Sequence, residues 1–127
     1  MPLSSDPSVT YNAEGNILAT STSLGASASN TGNIVDFSSS SLGGWVEIYS
    51  KGGSSVAATN GCQVSVYAAG STTTYGTIAI YSPSIANTAN TVALLSILLP
   101  TGKYSITLTN LDATNAITVG ITSNPIA

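Results

Sequence analysis

Residues 103–110, Lys-Tyr-Ser-Ile-Thr-Leu-Thr-Asn, put Tyr104, Ile106 and Leu108 on one side of an extended chain and Ser105, Thr107 and Thr109 on the other. Strict alternation of apolar and polar side chains has the two-residue period of a strand with one face in a core and one in water. The pattern recurs in short runs at 33–37, 44–50, 62–68, 77–81 and 116–122, separated by Gly, Asn, Ser and Pro. Val46 and Ile48 oppose Trp45, Glu47 and Tyr49; Cys62, Val64 and Val66 oppose Gln63, Ser65 and Tyr67; Ile117, Val119 and Ile121 form the inner side of the last run. Short strands bounded by turn formers, with no convincing helix, predict an all-β chain.

Two segments bear on the architecture. Residues 91–99, Thr-Val-Ala-Leu-Leu-Ser-Ile-Leu-Leu, also carry Leu94, Leu95, Leu98 and Leu99 at helical spacing. Their Thr, Val and Ile, and the strands on both sides, favour a strand. Apolar on both faces, it is expected to be central or to lie at a subunit contact, with Leu95 and Leu99 as interface residues. Residues 55–59 lie between Lys51-Gly52-Gly53 and Asn60-Gly61, a pair that tolerates the positive φ of a tight hairpin turn. Seven or eight strands over residues 32–127 predict an antiparallel two-sheet β-sandwich, immunoglobulin-like or jelly-roll-like; counting 55–59 as a strand favours the jelly roll. Residues 1–31 hold single apolar residues among Ser, Thr, Ala, Asn and Gly, with pairing segments at 9–11 and 16–20, and are expected to form an extended N-terminal arm.

Composition then narrows function. The chain has no His, two Lys, no Arg and five carboxylates, and only 6% of its residues are charged. Without His, the usual general base near neutral pH is missing, and so is the commonest metal ligand. Cys62 is alone, so the chain has no internal disulfide and no Cys cluster for zinc. The Ser runs at 38–41 and 54–55 have no base to activate a nucleophile. A net charge of −3 with two Lys argues against a nucleic-acid partner. No apolar run reaches membrane-spanning length, and Met1-Pro2-Leu3-Ser4-Ser5-Asp6 lacks the basic-then-apolar pattern of a secretory leader. The expectation is a non-enzyme with no cofactor, no metal, no membrane and a buried, inert thiol.

Three features remain. Trp45, Tyr49, Tyr67, Tyr75 and Tyr81 could line a binding face; gathered on one sheet, Trp45, Tyr49 and Tyr67 would stack on sugar rings, making glycans an alternative partner, while protein contacts are enriched in the same rings. Asp112, Thr114 and Asn115 have ordinary turn chemistry and no calcium-loop spacing. Leu99-Pro100-Thr101-Gly102-Lys103-Tyr104 resembles the corner of immunoglobulin-like and fibronectin-like sandwiches in which a Tyr hydroxyl bonds back to nearby backbone. That resemblance makes Pro100, Gly102 and Tyr104 a structural turn.

A soluble chain this poor in charge, with a strand apolar on both faces, suits an assembly better than a dispersed monomer. In size, in its arm-plus-sandwich layout and in the Ser/Thr/Gly/Ala-rich β composition of residues 33–122, it resembles the small capsid decoration (cement) proteins of tailed bacteriophages. The resemblance implies a structural virion protein, homotrimeric, bound to assembled major capsid protein or other virion proteins, with the 1–31 arm on capsid or on a neighbouring subunit. A fibre, neck or baseplate component of the same kind of particle and a carbohydrate-binding or adhesion module are the alternatives.

Overall fold

The computed structural model describes residues 15–53, 61–70 and 76–126, and these form nine strands. They are β1 (Gly15–Leu24), β2 (Ser29–Thr31), β3 (Val35–Asp36), β4 (Gly44–Lys51), β5 (Cys62–Ala69), β6 (Ser84–Ile85), β7 (Val92–Leu99), β8 (Lys103–Asn110) and β9 (Ile117–Pro125). Every strand pairing is antiparallel. One sheet runs β1-β9-β4-β7; the other runs β2-β8-β5-β6, with β3 also on β8.

The pairing is nested. First strand meets last (β1 with β9), the next inward pair is β2 and β3 with β8, then β4 with β7, then β5 with β6. A long antiparallel hairpin rolled around a core gives this nesting, and the result is a jelly-roll sandwich. The jelly-roll order therefore holds, and the immunoglobulin-like order does not.

The core follows directly from the alternation. Val46, Ile48, Val119 and Ile121 from the first sheet face Val64, Val66, Ile106 and Leu108 from the second, all fully buried. Each contributes about 1.5–3 kcal/mol of burial. Phe37 and Tyr104 pack edge to face at 6.5 Å and close one end. There the Tyr104 hydroxyl donates to the Pro100 carbonyl oxygen at 2.7 Å, so the sequence-predicted corner forms. Gly102, at φ +148°, takes a backbone conformation that side chains disfavour. Tyr104→Phe removes one neutral hydrogen bond and is expected to cost about 1 kcal/mol. Urea denaturation checks this: a lower midpoint at unchanged slope.

Several expectations are corrected. Gly15–Leu24 and Ser29–Thr31 are integral strands, so the sandwich begins well before residue 32; residues 1–14 lie outside the described residues. β1 escapes a period-two search because its register on β9 shifts twice, between Asn16 and Leu18 and between Leu18 and Thr22. The first adds one residue to β1 and so swaps its inward and outward positions; the second adds two, which keeps the parity but breaks the run. The 77–81 run is not a strand; Tyr81 makes a single bridge to Val66, and the pairing strand is Ser84–Ile85, just beyond Pro83. The 55–59 candidate lies outside the described residues. β7 is a strand but not a central one, because it forms an edge of its sheet.

Candidate docking flank

Among the described residues the sandwich has four sheet edges, and three are blunted. β1 carries two register shifts and polar Ser and Thr side chains. β2 and β3 are three and two residues long, and β6 is two residues long. Short strands, irregularities and polar side chains are the devices that stop a sheet edge from recruiting another chain. β7 is long and regular, and polar only at Ser96. Its eight residues, Val-Ala-Leu-Leu-Ser-Ile-Leu-Leu, contain no charge, Gly or Pro and pair with β4 in one unbroken register.

That register fixes which side chains face out. Trp45 lies opposite Leu98, Glu47 opposite Ser96, Tyr49 opposite Leu94 and Lys51 opposite Val92. On this outer face Val92 is 47% exposed, Leu94 59% and Leu98 69%, while Trp45 is 40% exposed and Tyr49 half-buried. Leu95 is half-buried against the core and does not form the contact surface expected of it, and Leu99, though buried, borders that surface only at the groove beside β7. The residues that do, Leu94 and Leu98, lie one position away. Ser96, the one polar residue of the strand, shares their parity and is the sequence signal that could have found them.

The flank continues onto the other sheet. Ile80 donates its backbone N–H to the Val66 carbonyl at 2.7 Å, and the Val66 N–H donates to the Tyr81 carbonyl at 2.9 Å, which holds this segment along β5. Ile78, Ile80 and Tyr81 are exposed there. Between this segment and β7 runs an open groove of about 410 Å³, lined by Ile80, Tyr81, Ser96, Ile97, Leu98 and Leu99. Neither wall carries a charged side chain. Contiguous exposed apolar surface of this kind marks an interaction site.

The other aromatic candidates separate. Tyr67 faces outward from β5 on the opposite sheet, so it shares no face with Trp45 and Tyr49. It borders a shallow cleft of about 330 Å³ with Thr31, Gly76, Thr77, Ser105 and Thr107. Hydroxyl pairs cross the strands beside it, Thr31 with Thr107 at 2.7 Å and Ser29 with Thr109 at 2.8 Å. Tyr75 lies outside the described residues.

Asp112, Asp36 and Cys62 are tied into structure. Asp112 is buried, and its Oδ1 accepts from the backbone N–H groups of Thr114 at 2.8 Å and Asn115 at 2.7 Å, a loop-closing arrangement. The Ser38 hydroxyl and backbone N–H, both donating to Asp36, hold that carboxyl below its ordinary range. Cys62 is fully buried, and burial pushes its thiol from 9.0 up to about 11. The unfolded chain loses this proton near 9 and the folded chain near 11, so the folded state holds it more tightly. Stability is therefore complete below pH 9 and falls as pH rises toward 11, by up to roughly 2–3 kcal/mol. Melting curves between pH 8 and 11 should show a smaller alkaline loss in Cys62→Val than in the wild type. Among the described residues no group of three or more His, Cys, Asp or Glu could hold a metal ion, and no helix is long and apolar enough to cross a membrane.

No protein-family model and no curated protein sequence matches the chain. Solved structures do share its fold. It is similar to tripeptidyl peptidase 2 (TM-score 0.56, 7% identity), over 97% of this chain and 10% of that one. It is similar to a chain of infectious bursal disease virus, Gx strain (TM-score 0.54, 10% identity), over 93% of this chain and 32% of that one. The K1 cleaved adhesin domain of Lys-gingipain from Porphyromonas gingivalis W83 aligns with a TM-score of 0.52 and 12% identity, over 87% of this chain and 80% of the domain. The chain thus spans a tenth of the first and about a third of the second. At such identities these likenesses show the fold alone: an all-β, two-sheet antiparallel sandwich.

Proposed function

We propose that this is a non-enzymatic structural protein of a virus particle, of the capsid decoration kind, which meets other chains of the particle through the β7 flank. The observation that carries the reading is that, among the described residues, one sheet edge is unblunted, uncharged and almost wholly apolar while the others are protected. A chain that exposes this surface in isolation gains by covering it in an assembly. The likeness to a chain of infectious bursal disease virus supports the reading at the level of fold. Binding only the assembled shell would stabilise that shell by mass action, by about 2.7 kcal/mol per site when free protein stands at 100 times its Kd.

Mass spectrometry of particles purified from cells that carry the gene tests this. The reading expects the chain in the particles, in fixed proportion to the major shell subunit. A few copies per particle would instead indicate a fibre, neck or baseplate component, and particles lacking the chain would end the virion reading.

The Tyr67 cleft favours a second reading, a carbohydrate-binding module, because it sets one aromatic ring among hydroxyl side chains. A glycan that raises the melting temperature of the wild type but not of Tyr67→Ala would support it; a flat response across a glycan panel would remove it.

A further inference from the structure

We infer that the occupant of the β7 edge is the β7 edge of a second copy, joined about a two-fold axis through Ser96, so that the first sheets of two molecules run on as one eight-stranded sheet. The inference rests on reading the flank as a docking surface but not on the virion assignment.

Self-complementarity is what selects a second copy. Antiparallel pairing keeps outward residues beside outward residues only when paired positions have the same parity. Centred on Ser96, the pairing sets Leu94 beside Leu98 of the second copy, Ser96 beside Ser96, and Leu98 beside Leu94. With β4 carrying Tyr49 opposite Leu94 and Trp45 opposite Leu98, the outer face gains a continuous row, Tyr49, Leu94, Leu98 and Trp45, crossing the joint twice. Centring one residue earlier would set Ser96 against Leu94 at both positions, leucine against hydroxyl. Pro100, which has no N–H to donate, follows directly after β7 and ends the paired segment.

Charge agrees. β7 carries no charge, and the Glu47 side chains stand one strand back on each copy. Three strand spacings separate them, about 14 Å, which is beyond the screening length of roughly 8–10 Å at ordinary salt. Ile80 and Tyr81, on the far wall of the groove, lie where the inward side of the second copy's strand arrives. A two-fold contact of this kind closes on itself and does not propagate into fibres.

Cysteine pairing tests the axis. Residues directly opposite in an antiparallel pair have Cα atoms about 4.5 or 5.5 Å apart, both within disulfide reach. Under mild oxidation Ser96→Cys should form a covalent dimer of twice 12.6 kDa. Leu94→Cys should not, because its own counterpart lies four rungs away. The native Cys62 is buried and stays out of the reaction. Light scattering of the wild type should show a mass that doubles from 12.6 kDa with concentration, and Leu98→Lys should hold it at 12.6 kDa while keeping a cooperative melt. A wild type at 12.6 kDa throughout, a three-fold mass, or cross-linking of Leu94→Cys as readily as Ser96→Cys would each overturn the proposal. The chain's absence from virus particles would end the decoration reading and leave this pairing standing.

Discussion

Asn110→Asp should lower stability by about 3–5 kcal/mol, the largest loss expected from any single polar substitution in this sandwich. Asn110 is fully buried at the end of β8. Its Nδ2 donates to the backbone carbonyls of Leu24 at 3.3 Å, Gly25 at 3.1 Å and Asn115 at 2.7 Å, and its Oδ1 accepts the Asp112 N–H at 3.0 Å. One amide thus ties the end of β1, the loop leading into β9 and the end of β8 to each other. An aspartate in its place has no N–H to donate and sets a carboxylate against three carbonyl oxygens. Burial and those oxygens raise the folded-state pKa of the new carboxyl above its unfolded value. The stability of the variant is therefore greatest below the unfolded pKa, near pH 4, and is lost as pH rises toward 7. Thermal melts at pH 4 and pH 7 check both parts: a drop in Tm of more than about 10 °C at neutral pH, partly recovered in acid.

Gly43→Ala should cost at least about 4 kcal/mol, in the range that signals backbone conflict. Gly43 sits at φ +74°, where a Cβ alone costs roughly 1–2 kcal/mol. A Cβ at this position would also lie 2.1 Å from the Leu99 carbonyl oxygen and within 2.9 Å of the Pro100 backbone. Backbone cannot swing aside as a flexible side chain can, so the 38–43 loop or the end of β7 has to move. Gly43 also accepts the Ile126 N–H at 2.8 Å, so the strain reaches the chain just past β9. Urea titration is expected to give a much lower midpoint or no folded baseline. A variant as stable as the wild type would mean that the loop does not approach β7 as described.

How much of this was legible in the sequence follows from where period two survives. β4, β5, β8 and β9 pair in unbroken registers and are buried on one face, so their alternation named most of the core. β1 pairs across two register shifts, which break the alternation a reader counts, so it passed for an arm. The corner at Pro100, Gly102 and Tyr104 was readable because its bond is local, four residues apart. Choosing between the two sandwich topologies required knowing that the first strand meets the last, and no short-range signal carries that. The apolar character of Val92–Leu99 was evident, but its outward residues were misassigned by one position. The strand carries a single polar marker, Ser96, too little against seven apolar neighbours to set its parity by eye; pairing with Trp45, Glu47 and Tyr49 does so. Sheet membership likewise separated Tyr67 from Trp45 and Tyr49, which a linear reading had grouped.

The central claim is that the β7 edge is covered by another chain when the protein works, and amide hydrogen exchange reads it at that edge. Exchange should be followed at low and high protein concentration. The account predicts that alternate amides in Val92–Leu99, those pointing away from β4, gain protection as concentration rises, while the edge amides of β1 do not change. Equal exchange at both concentrations across Val92–Leu99, with the core strands protected, would contradict it.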